Sequence, residues 1–265
     1  MKIYEERSMH PVESGSVNLE RCDLFSEKSN PALVFVKGLG ASVANESLLH
    51  RLAQDYCVTT WSPRNNGNST GHLAIDNLVS DTSDLVRAVS QEKGEKPFAI
   101  AHSMGGYALA RVLENEATVE KAVLLSPLNS PSEQMPSIFD LYFKQCAKAG
   151  RNPFPVAQFN LGDQRFDEGD VARFLTSIYD AKGCDQTLKS PTQVFLSGAT
   201  SWGLSISKKE FSRLSATWKS IGADVQDYFH LNHYFSGKRF GLTPGCFTEL
   251  EKPEVYGNIM DFLKR

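Results

Sequence analysis

Five short apolar runs, separated by residues of helical period, constrain this chain more than any other feature. They are ALVFV (32–36), YCVTTW (56–61), FAIA (98–101), AVLL (122–125) and QVFL (193–196). Runs of four to six apolar residues without polar alternation fit strands buried on both faces, as in a parallel sheet. Between them Ile75, Leu78, Val79, Leu85, Val86 and Val89 fall on one helix face, as do Phe211, Leu214, Trp218 and Ile221. Ser207 and Glu210 have the spacing of a capping box, and Pro253 can open a last helix carrying Val255, Ile259, Phe262 and Leu263. Strand and helix in alternation predict an α/β fold, a mostly parallel central sheet with helices on both faces. The polar first 30 residues, alternating around NLERCDLF, predict an antiparallel ribbon at the sheet edge.

From 128 to 190 the rhythm breaks into helical fragments separated by Pro and Gly. The expected organisation is therefore a first part of the core at 1–127, a helical cap insertion at 128–190 and a second part of the core at 191–265. There is no internal repeat.

The window PFAIAHSMGGYALARVL (97–113) carries the chemistry. A buried strand ends beside Ser103, small residues Ala101 and Gly105 flank it, and an amphipathic helix begins at once. A strand, sharp turn and helix lift a serine hydroxyl out of the sheet, and the helix start aims backbone N–H groups at an oxyanion formed there. The competing interpretation is a serine that only caps the helix, with Gly105 and Gly106 allowing close packing.

With these residues in view the chain resembles the α/β-hydrolase superfamily over nearly its whole length. AHSMGG is similar to that family's nucleophile elbow, with Ala101 where a glycine is more usual. VFVKGLGAS (34–42) resembles its oxyanion loop, with Lys37 where a histidine is frequent. YCVTTWSPRNNGNS (56–69) resembles the next strand and loop, with Ser62 where an aspartate is usual, and HLNHYFSGK resembles the histidine loop. The resemblance implies Ser103 as nucleophile and His233 as general base, with the backbone N–H groups of Leu39 and Met104 as oxyanion donors.

Six histidines compete for the base. His10 lies in the edge segment, His50 in a helix, His72 too early in the chain, and His102 beside the nucleophile with its side chain turned elsewhere. His230 and His233 follow the last strand, ADVQDYF, and His233 is favoured because loops at strand C-terminal ends carry reactive groups. The catalytic acid is unknown. The usual loop, GATSWGLSIS, has Ser201 near the expected place and no carboxylate, and the alternative loop, SPLNSPSE, has Asn129 and only Glu133; Asp227 is a further carboxylate to test. Losing the acid costs a subtilisin-type triad far less than losing serine or histidine, so a Ser–His pair can act without one.

Composition excludes several classes. With 28 Lys plus Arg against 31 Asp plus Glu, net charge −3 and only paired basic spots, a nucleic-acid partner is not expected. Five scattered cysteines without CxxC imply neither a disulfide framework nor zinc, no metal is expected, and KGLGAS lacks the glycines of a dinucleotide site, so no cofactor is expected. No signal peptide or membrane span is present in the sequence, which suits a cytoplasmic protein; oligomeric state is unknown.

The expected function is a serine hydrolase acting on a carboxylic ester or thioester of a small, apolar acyl substrate. Apolar residues of 128–190, among them Phe154, Phe174, Ile178 and Tyr179, are expected chiefly to pack the cap onto the body, and a cap this rich in aromatics is expected to line an apolar acyl pocket as well. Acyl transfer, cofactor-free lyase chemistry and a non-enzymatic ligand-binding protein are the alternatives on the same scaffold.

Overall fold

The computed structural model describes residues 2–12, 15–38, 47–134, 168–198, 206–231 and 253–265. Eight strands form one sheet: β1 (Tyr4–Val12), β2 (Val17–Phe25), β3 (Ala32–Val36), β4 (Cys57–Trp61), β5 (Phe98–His102), β6 (Ala122–Leu125), β7 (Thr192–Ser197) and β8 (Asp224–Tyr228). Their order is β1-β2-β4-β3-β5-β6-β7-β8. From β4 to β8 all pairings are parallel, whereas β1 and β2 form the expected antiparallel ribbon and β2 runs antiparallel to β4. The five apolar runs are strands β3 to β7, each within a residue or two of its expected ends.

The helices are α1 (Ser47–Leu52), α2 (Ile75–Lys93), α3 (Met104–Asn115), α4 (Glu168–Asp180), α5 (Lys208–Ser220) and α6 (Pro253–Lys264). Side chains alternate across each strand, so the sheet makes two cores. Val34, Val36, Ala99, Ala101, Ala122, Leu124, Val194 and Leu196 meet α2, α3, α4 and α5 on one face. Leu33, Phe35, Ile100, Val123, Leu125 and Phe195 meet α1 and α6 on the other. In α2 the buried face is Ile75, Leu78, Asp81, Thr82, Leu85, Val86 and Val89, close to the expected one.

Ser207 accepts from the Glu210 backbone N–H at 3.1 Å, while the Glu210 carboxylate bonds Arg213. One half of the expected capping box is therefore used, and the other is given to an i,i+3 ion pair.

The described end of the 128–190 stretch is built into the body. Phe174 and Ile178 of α4 are 3% and 0% exposed in the core with α2 and α3, and Tyr179 is 58% exposed. Ser177 Oγ accepts from Ile75 N at 3.0 Å and so satisfies the start of α2. Tyr107 donates to the Lys182 carbonyl at 2.8 Å, and the buried Glu114 carboxylate accepts from the N–H groups of Asp185 and Gln186. Phe174 and Ile178 thus pack this stretch onto the body, the main role expected of them, and Tyr179 faces outward.

Candidate active site

The chain leaves β3 toward β4 on one side and β5 toward β6 on the other, so a crevice opens between β3 and β5 at their C-terminal ends. Ser103 stands there, directly after β5, at φ 56° and ψ −120°. A serine in this region is strained by about 1–3 kcal/mol, which the surrounding contacts must sustain. Its N–H donates to the Leu125 carbonyl at 2.9 Å, and its carbonyl accepts from Tyr107 N at 3.2 Å and Leu128 N at 3.4 Å. The backbone is thus tied to β6 and α3 while the side chain makes no capping hydrogen bond. The helix-cap interpretation of Ser103 fails on that point.

Glycines make this arrangement possible. A Cβ on Gly105 would lie 2.6 Å from the Val36 carbonyl oxygen, and one on Gly106 would lie 2.7 Å from Pro127 Cβ. α3 therefore sits directly on the end of β3 and on the turn after β6. Gly38, in the loop after β3, is also tightly placed: a Cβ there would be 3.1 Å from Ser103 Cβ. Met104 opens α3, so its backbone N–H belongs to the first turn, where no intrahelical acceptor exists. Gly38, at the end of the described loop after β3, thus lies against Ser103, and Met104 follows it as the first residue of α3.

Leu39, His233 and Ser201 lie outside the described residues. The described residues just past β7 and β8 touch: Gly198, after β7, donates to the Leu231 carbonyl at 3.0 Å, and a Cβ on it would collide with the Phe229 carbonyl. Ile206 N closes the loop after β7 onto the Gly198 carbonyl at 2.8 Å. His230 is exposed just past β8. His72 sits near Arg173 at 3.3 Å, and His102, 5% exposed, is enclosed beside Gly38.

The carboxylates considered for the acid have other positions. Glu133 is exposed and pairs with Arg213 at 3.3 Å, and Asp227 is exposed on β8. The buried carboxylates among the described residues are Glu20, Asp81 and Glu114. Asp81 takes Arg64 in a two-pronged pair at 2.7 and 2.9 Å. Glu114 holds the 185–186 backbone and Arg111. Glu20 accepts from Ser62 Oγ at 3.3 Å, Asn68 N at 3.2 Å and Asn68 Nδ2 at 3.0 Å, so it anchors the loop after β4. Glu20 reaches the Ser62 position from β2; only strand pairing, which a linear sequence does not display, could have revealed that.

Sequence reasoning also missed the pairing of Ser126, directly after β6, with Ser197, the last residue of β7. Their hydroxyls are 2.7 Å apart and buried, and Ser126 has φ 43°. A serine directly after a buried strand, as at Ser103, was the available signal. Burial pushes the Tyr107 phenol and the Cys184 thiol upward, so both stay neutral beside the elbow helix. No group of three or more potential ligands for a metal occurs among the described residues. No described helix is long and apolar enough to cross a membrane.

A family model described as serine aminopeptidase, S33, matches residues 27–177, more than half of the chain. The chain belongs to that family, and with it to the α/β-hydrolase superfamily. Solved structures agree on the hydrolase fold. An esterase of Pyrococcus furiosus aligns at TM-score 0.66 and 15% identity, covering 99% of this chain and 91% of that one. An esterase from Rhodococcus sp. aligns at 0.59 and 17%, covering 100% and 99%. A hydrolase from Pseudomonas aeruginosa aligns at 0.62 and 16%, covering 98% and 99%. No curated protein matches this hydrolase by sequence. Its chemistry is therefore of the general serine-hydrolase kind.

Proposed function

We propose that this hydrolase cleaves a carboxylic ester or thioester through an acyl-enzyme on Ser103. The hydroxyl attacks the carbonyl carbon while His233 accepts its proton; the tetrahedral oxyanion is held by the N–H groups of Met104 and Leu39. Collapse expels the alcohol or thiol, which takes the proton back from His233. Water, deprotonated by the same imidazole, then releases the acid.

The observation that carries this reading is the conformation of Ser103: φ 56° with a side chain that caps nothing. Strain of this kind persists where it presents a group for use. Esters and thioesters are preferred over peptides because their leaving groups depart with less help from an acid. A base without a described buried carboxylate to spare suits them. The acyl part is expected to be apolar, from the composition of 138–154, and the setting a reducing cytoplasm, in keeping with the free buried thiols Cys22, Cys57 and Cys184.

A serine-directed fluorophosphonate labels the wild type and not Ser103→Ala, and a panel of short and long acyl esters and thioesters yields free acid at wild-type Ser103 only. Absence of labelling of the native protein would overturn the nucleophile assignment. Products that appear only with an added alcohol or amine acceptor would change the reaction to transfer.

A further inference from the structure

We infer that Tyr107 is a positioning residue: its phenol ties the exit of the insertion to the elbow and so holds the Ser103 backbone in the strained conformation that presents the hydroxyl. The inference rests on Ser103 being the nucleophile, as proposed above.

A closed ring of hydrogen bonds leads to it. The Ser103 carbonyl accepts from Tyr107 N at 3.2 Å and from Leu128 N at 3.4 Å. Each donor leads on to the segment by which the insertion returns to the body. On the helix side, Tyr107 Oη donates to the Lys182 carbonyl at 2.8 Å. On the strand side, the carbonyl of Asn129, next to Leu128, accepts from Cys184 N at 2.7 Å. Residues 182–184 therefore join α3 to the segment just after β6, and both of these hold the same carbonyl of Ser103.

That carbonyl matters because Ser103 stands at φ 56° and ψ −120°, a conformation that persists only while its neighbours over-determine it. Its N–H is fixed on β6, at the Leu125 carbonyl, so ψ is set by what holds the carbonyl side. Tyr107 is 2% exposed, and burial keeps its phenol neutral, so it remains a donor across the working pH range. Without the hydroxyl, the Lys182 carbonyl loses its donor. The exit segment then shifts with Asn129, and Leu128 N draws away from Ser103. Arg111, one turn further along α3, holds the Gly183 carbonyl at 3.1 Å, so the insertion stays attached when the phenol is lost.

Tyr107→Phe, Ser103→Gly, their combination and Ser177→Ala are compared with the wild type by fluorophosphonate labelling rate, ester kinetics and thermal unfolding. Ser177→Ala is the control, because it loosens the insertion at the start of α2, away from the elbow. Expected in Tyr107→Phe is a fall of about tenfold in labelling rate and kcat with KM unchanged, the size of one hydrogen bond. Ser177→Ala lowers Tm but is labelled at the wild-type rate. The double variant supplies a readout that a merely structural hydroxyl would not move. In the wild type, loss of the bond is partly offset as Ser103 relaxes, whereas in Ser103→Gly no strain remains to relieve. Tyr107→Phe therefore lowers Tm more in the Ser103→Gly background than in the wild type. If the wild type is labelled and Tyr107→Phe is labelled equally fast, or if the two Tm losses are equal, this inference alone is overturned. It falls as well if Ser177→Ala slows labelling as much as Tyr107→Phe. If the wild type is not labelled, the nucleophile assignment falls, and this inference with it.

Discussion

Prolines lead into three of the parallel strands: Pro31, Pro97 and Pro191 precede β3, β5 and β7, and their carbonyls accept from Cys57, Glu120 and Ala122 at 2.9 Å. Gly94 ends α2 ahead of β5 at φ 72°, a conformation natural to glycine, with open space around its Cβ position. The other ends of the strands differ. Among the described residues, the non-glycine positions with positive φ are Asn65, Ser103 and Ser126, which follow β4, β5 and β6 at their C-terminal ends. One end of the sheet is closed with residues suited to their geometry, and the other holds polar side chains in costly conformations. The contrast teaches that, among the described residues, backbone strain outside glycine is localised at the C-terminal ends of the parallel strands, the end that carries Ser103, rather than spread through the fold.

The contrast is sharpened most by Ser103→Gly. Turnover falls about 10⁶-fold while thermal stability stays level or rises, since the substitution relieves φ 56°. A drop in Tm would break the claim that the elbow is strained. Next is Gly105→Ala, whose added methyl meets the Val36 carbonyl oxygen at 2.6 Å. Overpacking against backbone costs about 1–3 kcal/mol, and urea unfolding together with fluorophosphonate labelling should fall together. At the opposite end, Gly94→Ala costs about 1 kcal/mol for its positive φ and leaves kcat untouched. Equal effects of the two alanines on labelling would erase the distinction.

The smallest effect lies at the pairing of Arg21 with Glu92. The hydrogen bond from Arg21 holds the Glu92 carboxyl below its ordinary range. A depressed carboxylate contributes stability above its unfolded pKa and loses it as pH falls through the folded value. Glu92→Gln should therefore lower Tm slightly at pH 7 and hardly at all at pH 3. The pair is half-exposed on the Glu92 side, so the difference is modest.

Much of this was legible in the residues. Apolar runs gave five of the strands because burial on both faces writes itself as continuous hydrophobicity, and Ser103 stood out because its turn demands small neighbours. The polar framework was not legible. Ser126 and Ser197 are 71 residues apart, Glu20 and Ser62 are 42, and Ser177 and Ile75 are 102. Such pairs depend on which strands and helices become neighbours, and periodicity says nothing of that. The same limit left Phe174 and Ile178 between packing, the reading that holds, and a pocket: an apolar side chain looks identical in sequence whether it meets a ligand or α2. Glu133 was visible as the carboxylate of its loop, but its exposure and its pairing with Arg213 were not.

The insertion after β6 has a narrow neck, where Cys184 N donates to the Asn129 carbonyl at 2.7 Å. Anyone building chimeras could exchange the chain between those two positions without shifting the strands on either side. The transplanted piece must bring a replacement for α4, however, because Phe174 and Ile178 plug the host core and Ser177 completes the first turn of α2. A graft library that keeps this rooted helix and varies only what precedes it would leave the packing of α4 on the scaffold intact.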